Sequence, residues 1–176
     1  LSFGNAVVDS TTLVGKVMCG YQGWFSCPGD GSGLGWTHWA RSSRRPFGPG
    51  NATVDLWPDV RELTPEERFS TSFKHPDGHA AEVFSSANEK TIDRHFRWMR
   101  DYGIDGVFVQ RFANGLKTPR LKAQKDKVLF HAHDAASRAG RVLAVMYDLS
   151  GLQRGQTARV SEDWKQLKRD GITEGG

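Results

Sequence analysis

Gly106-Val107-Phe108-Val109-Gln110-Arg111-Phe112 and Val142-Leu143-Ala144-Val145-Met146-Tyr147-Asp148 are the two stretches on which the fold turns. Each opens as a near-continuous apolar run, the pattern of a parallel strand buried on both faces rather than the alternation of a half-exposed antiparallel one. Between them, residues 119–139 read as a helix: Pro119 starts it, Leu121, Val128, Leu129, Ala132, Ala135 and Ala136 supply the apolar positions, and Gly140 stops it.

The same alternation extends in both directions. Upstream, Ser86-Ala87-Asn88-Glu89 has the capping-box pattern, with Ile92, Phe96, Met99 and Tyr102 at helical spacing and Gly103 as the stop. An earlier buried strand is expected at Lys16-Val17-Met18-Cys19-Gly20-Tyr21, and a short charged helix from about Ser161 to Asp170, with Trp164 and Leu167 on one side. The order is therefore strand, long loop, helix, strand, helix, strand, helix, which implies right-handed βαβ crossovers and a parallel sheet. A barrel and an open doubly wound sheet both satisfy that order. An open nucleotide-binding sheet would follow its first strand with a glycine-rich turn opening a helix. Gly29-Asp30-Gly31-Ser32-Gly33 leads instead into Leu34-Gly35-Trp36, which argues against a phosphate cradle.

Bulk properties narrow the class. The chain has 176 residues, 38% of them hydrophobic and 25% charged, enough for one ordinary globular domain with a core. No stretch approaches the ~18 consecutive apolar residues of a membrane span, and Leu1-Ser2-Phe3 lacks the basic start of a signal peptide. The net charge of +4, from 24 basic and 20 acidic residues, is too dispersed to favour nucleic acid. Its densest positive cluster, Arg41, Arg44 and Arg45, stands beside Pro46, Gly48, Pro49 and Gly50, as in a solvated loop. Cys19 and Cys27 suit either a small disulfide loop or two half-buried thiols. Neither a CxxC pair nor a Cys/His ligand set is present, so no metal site is expected. Asn51-Ala52-Thr53 matches the glycosylation sequon, which has meaning only in a eukaryotic secretory pathway.

Residues 1–176 thus read as part of a single domain, with a long ordered loop at about 26–84. Trp24, Trp36, Trp39 and Trp57 stand in or beside that loop, which is too aromatic for a disordered linker and suggests a binding loop. In parallel α/β folds, ligands gather at the C-terminal ends of the strands. The candidates there are Tyr21, Gln22 and Trp24 after the first strand, Trp36, His38 and Trp39 in the loop, Gln110 and Arg111 on the second strand, and Tyr147 and Asp148 on the third. Such a set suits a sugar, whose C–H faces stack on aromatic rings and whose hydroxyls pair with amides and carboxylates. Each residue also has a structural alternative. Trp24 and Trp39 could plug a barrel mouth, His38 could be a hydrogen-bonded loop residue, and Arg111 could pair with Asp148.

Gly20-Tyr21-Gln22-Gly23-Trp24-Phe25, Trp36-Thr37-His38-Trp39, Phe84-Ser85-Ser86, Tyr102-Gly103-Ile104-Asp105-Gly106-Val107 and His133-Asp134-Ala135-Ala136, in this order, resemble the first half of glycoside hydrolase family 99 and its relatives in family 71. These are the endo-α-mannosidase and endo-α-mannanase type barrels. The resemblance implies a (β/α)8 barrel of the TIM type, of which this chain supplies about the first three β/α units. It implies a mannose-type or related oligo- or polysaccharide as substrate and no organic cofactor. It also implies a secreted, periplasmic or secretory-pathway setting, and it places Tyr21, Trp24, His38, Trp39 and Asp148 along the substrate cleft.

Two departures bear on function. Where the family tends to carry Ser-Trp-Trp, this chain has Gln110-Arg111-Phe112, whose guanidinium suggests binding of an anionic sugar. A whole barrel typically takes ~250 residues, so the remainder is expected beyond Gly176 or from another chain. Glycoside hydrolysis generally uses two carboxyl groups ~5–9.5 Å apart, and by the resemblance both lie on later loops. The expectation is a chain that binds sugar and does not by itself cleave it, with a non-catalytic carbohydrate-binding barrel as the alternative to a hydrolase.

Overall fold

The computed structural model describes residues 6–173 of the chain, and its contacts divide them into two compact units. The first comprises the chain up to Gly23 together with Ile92 onward; the second is Trp24–Thr91. Among the described residues no helix is long and apolar enough to cross a membrane. The segment 171–176, read as the approach to a further strand, is turn as far as Thr173, and residues 1–5 and 174–176 lie outside the described residues.

The first unit is a mixed α/β structure built on a three-stranded parallel sheet of order β1-β4-β5, with β1 at Met18–Tyr21, β4 at Gly106–Phe112 and β5 at Val142–Asp148. Register pairs Cys19 with Val107 and Tyr21 with Val109, while Val107, Val109 and Arg111 face Leu143, Val145 and Tyr147. Because side chains alternate across a strand, these residues share one face of the sheet. That face packs on α1 (Glu89–Asp101) and α2 (Pro119–Ala139) through Ile92, Phe96, Val128, Leu129 and Ala132, each at most 3% exposed. A third helix, α3 (Ala158–Arg169), adds Leu167 to the same core.

Local chemistry accounts for the boundaries. Pro119 opens α2, and Gly140, left-handed at φ 63°, closes it by donating its amide to Ala136 O and Ser137 O. Gly106 sits where a Cβ would lie 2.3 Å from Val142 O, so the approach of β5 to β4 requires glycine there. Asp105 Oδ2 accepts the Val17 amide at 2.8 Å just before β1, a structural task at the N-terminal edge of the sheet.

The capping box expected at Ser86 is displaced. α1 begins at Glu89, Asn88 Oδ1 accepts the Thr91 amide at 3.4 Å, and the Ser86 amide instead donates to Phe25 O. Tyr102 lies beyond the helix and is 75% exposed, so it is not part of the apolar face.

The second unit is more than a loop. It contains a two-stranded antiparallel sheet, β2 (Arg68–Lys74) with β3 (Ala80–Phe84), preceded by a 3-10 turn at Pro65–Glu67. Trp39, Phe47, Val83 and Cys27 form its core, with Phe25, Trp36, Trp57, Phe73 and Phe84 packed around them. Asn51 is its hub, 3% exposed: it accepts the Ser42 amide, and its Nδ2 donates to Ser42 O, Arg45 O and Pro46 O. The buried sequon amide thus ties down the loop on which Arg41, Arg44 and Arg45 are exposed. Cys19 and Cys27 both carry free thiols.

Candidate functional site

The residues proposed from sequence fall into three groups. Gln22, Gln110 and Asp148 come together on the sheet face turned away from the helices, at the C-terminal ends of the three strands. Gln22 Nε2 donates to Gln110 Oε1 at 3.1 Å, and Gln110 Nε2 donates to Asp148 Oδ2 at 2.6 Å. The other Asp148 oxygen accepts the Ser150 amide at 2.7 Å. The bonds from Ser150, with a smaller one from Gln110, hold this solvent-facing carboxyl below the ordinary aspartate range. The row keeps hydrogen-bonding capacity to spare: each glutamine retains an N–H, and Asp148 retains lone pairs. It can therefore grip a vicinal diol, accepting from one hydroxyl and donating to the next.

Tyr21 and Arg111 point the other way. Tyr21 shares the helix-facing side with Val109, its hydroxyl lies 2.9 Å from His95 Nδ1, and its ring packs at 5.9 Å from Phe96. Burial drives its phenol well above the usual range. Arg111, only 1% exposed, forks onto Asp163, with Nε to Oδ2 at 2.6 Å and Nη2 to Oδ1 at 2.7 Å. Nη2 also donates to Asp126 Oδ1 at 2.5 Å. The expectation that Arg111 meets a substrate carboxylate is corrected by this burial. Its partner is moreover Asp163 rather than Asp148, because the even-numbered positions of β4 and β5 face away from the odd-numbered ones.

Trp24, His38 and Trp39 belong to the second unit. Trp39 is core rather than cleft: 2% exposed, with Nε1 donating to Phe84 O at 3.1 Å and its ring 4.2 Å from Phe25. His38 is exposed and left-handed at φ 64°, a conformation uncommon outside glycine and worth a functional reading, and its ring lies 4.8 Å from that of half-buried Trp24. Asp30, which the sequence did not single out, accepts the Cys27 and Ser32 amides and the Ser85 hydroxyl. Burial would raise its pKa, and these bonds bring it below the ordinary value.

Sequence reasoning also missed Asp163 and Asp126. The signal was present in one form: a buried arginine near the end of a strand requires a counter-charge, which the following helices can supply. Which acids they were could not be read without the helix phase. Among the described residues no group of three or more His, Cys, Asp or Glu is arranged to hold a metal ion.

No family model matches the chain, and no curated protein matches it. Among solved structures it is similar to the GH99 endo-alpha-mannosidase from Bacteroides thetaiotaomicron, at 16% sequence identity and a TM-score of 0.47. That likeness covers 86% of this chain and 38% of the other, so the chain spans well under half the length of that distant structural relative.

Proposed function

We propose that the chain is the first part of a carbohydrate-active barrel, of glycoside hydrolase type and acting on mannose-type or related glycans, and that its own task is to hold sugar hydroxyls. The observation that carries this reading is the Gln22–Gln110–Asp148 row at the C-terminal ends of adjacent parallel strands, where such folds keep their ligands. The order of motifs shared with families 99 and 71 supports the same substrate class. The remaining strands would come from further chain or another subunit. In support, no strand among the described residues pairs with the outer edge of β1 or β5, and Met18, Phe108, Ala144 and Met146 lie on the sheet face away from the helices.

A second reading, a barrel that binds glycan without cleaving it, is favoured by one feature. Asp148 is the only carboxyl in the row, and its lowered pKa keeps it ionised at neutral pH, so it accepts protons or hydroxyl hydrogen bonds and is a poor general acid.

Calorimetric titration with an α-linked mannotriose tests the shared part of both readings. Saturable binding is expected, weakened about tenfold by Gln110→Ala or Asp148→Asn through loss of one or two hydrogen bonds. No binding of α-mannosides by the folded chain would sink both. Release of reducing sugar once the remaining strands are supplied would decide for the hydrolase.

A further inference from the structure

We propose that Asp163 is a positioning residue, which clamps the tips of β4 and β5 from the helix side and thereby sets Gln110 and Asp148 against each other on the opposite side. The inference rests on the carbohydrate reading only for its consequence, since the clamp itself is a matter of geometry.

Arg111 and Tyr147 are direct register partners across β4 and β5. Both end on the same carboxylate. Asp163 Oδ2 accepts Arg111 Nε at 2.6 Å and the Tyr147 hydroxyl at 2.5 Å, and Oδ1 accepts Arg111 Nη2 at 2.7 Å. Asp163 is 5% exposed, comes from α3, and so ties a helix to two strands at once. On α2, Asp126 and Lys122 extend the network: Arg111 Nη2 donates to Asp126 Oδ1 at 2.5 Å, and Lys122 Nζ to Asp126 Oδ2 at 2.6 Å. The bonds between buried Arg111 and Asp163 are strong and directional, while Asp126 and Lys122 reach towards solvent.

The consequence follows from the pleat. Gln110 precedes Arg111 and Asp148 follows Tyr147, so both project to the face opposite the clamp. A slip of one residue between β4 and β5 would bring Arg111 or Tyr147 off Asp163 and turn Gln110 or Asp148 inward, which a buried ionic fork strongly opposes. The 2.6 Å bond from Gln110 Nε2 to Asp148 is therefore held before any ligand arrives. Preorganisation of this kind spares a site the ordering cost of assembling on its ligand.

The test uses the 176-residue chain carrying Tyr147→Phe, which leaves the fork to Arg111 intact, and Asp163→Asn, which weakens the whole clamp. Two quantities are read: the side-chain amide resonances of Gln110 by NMR, and affinity for the α-linked mannotriose. In the parent chain one Gln110 Nε2 proton is expected downfield and slow to exchange. In folded Tyr147→Phe this signature is expected to fade and mannotriose affinity to fall several-fold, more so in Asp163→Asn. A folded Tyr147→Phe chain that keeps the Gln110 signature overturns the clamp, whatever its affinity, even if the sugar binds well. Loss of the signature in a chain family that never binds sugar supports the clamp and refutes the carbohydrate reading instead. If Asp163→Asn does not fold, Tyr147→Phe alone decides.

Discussion

At the scale of single residues, the structure puts its strongest polar side chains to structural use. Asn51 has its carbonyl and amide engaged by four bonds while 3% exposed. Asn51→Ala strands three carbonyls and an amide inside the second unit, and a loss of about 2–3 kcal/mol is expected in urea denaturation. Asp163 gives a pH signature of definite sign. Burial would raise its pKa, yet the bonds from Arg111 and Tyr147 and the Arg111 charge bring it below the ordinary aspartate value. A carboxylate depressed in the fold contributes stability above its unfolded pKa of ~3.9, and that contribution drains away as pH falls through the lower folded value. Asp163→Asn should therefore cost about 3 kcal/mol near neutrality, where Arg111 loses the carboxylate it forks onto and keeps only Asp126 as an ionic partner, and the variant's stability should decline less steeply than the parent's below about pH 4. Equal slopes in acid for the two chains would show that the fold does not hold the Asp163 carboxyl below its unfolded pKa. Cys27 gives the opposite limb. Burial, aided by Asp30, pushes its thiol up to about 12, so it favours the fold while neutral and begins to oppose it as pH rises from the unfolded thiol value of ~8.5 towards that figure.

At the scale of elements, apolar runs and glycine stops gave boundaries that the structure closely matches. β4 occupies Gly106–Phe112, and α2 runs from Pro119 to Ala139 with Gly140 left-handed beyond it. These were legible because β4 opens on the apolar run Gly106-Val107-Phe108-Val109 before its polar tip, and because Pro and Gly act through their own backbone geometry. The start of α1 was less legible, since the capping-box pattern points to Ser86 while the side chain that bonds the first turn is that of Asn88. The choice fell to Asn88 because Phe25 O takes the Ser86 amide, a partner remote in sequence. β2 and β3 were missed for a similar reason. Arg68–Lys74 carries its pattern in two serines, one threonine and two phenylalanines, a weak apolar signal that gains meaning only once Val83 and Trp57 are packed nearby. Gly106 offers a direct check on the parallel pair. A methyl group there would sit 2.3 Å from Val142 O and 2.4 Å from Val142 Cγ2, so Gly106→Ala should cost about 2–3 kcal/mol by overpacking. By contrast Gly155→Ala, with nothing within 4 Å of its Cβ, should lose only what its φ of +85° imposes. Thermal melts of the two variants side by side separate steric contact from backbone strain.

At the scale of the whole molecule, the sheet raises the question of what covers it. The helix-facing side is a closed core around Phe96, Leu129 and Val107, none of them exposed. The far side carries the Gln22–Gln110–Asp148 row, and on it Met146 is 38% exposed. In parallel sheets both faces are normally covered, and unpaired edges are normally protected. The candidate site was half legible for the same reason: sequence located the strand ends, where Gln22, Gln110 and Asp148 do meet, but the side to which each residue turned depended on register. Arg111 and Tyr21 turned inward for that reason alone. Native-state hydrogen exchange discriminates the covered sheet from the uncovered one. In the 176-residue chain, β4, bonded on both sides, should be the most protected strand, while the amides of β1 and β5 that point away from β4 should exchange orders of magnitude faster. Addition of further barrel strands should slow those outer amides while leaving β4 unchanged. Outer amides of β5 that are already as slow as those of β4 would mean that the edge is covered within this chain, and the case for a larger barrel would then lose its physical ground.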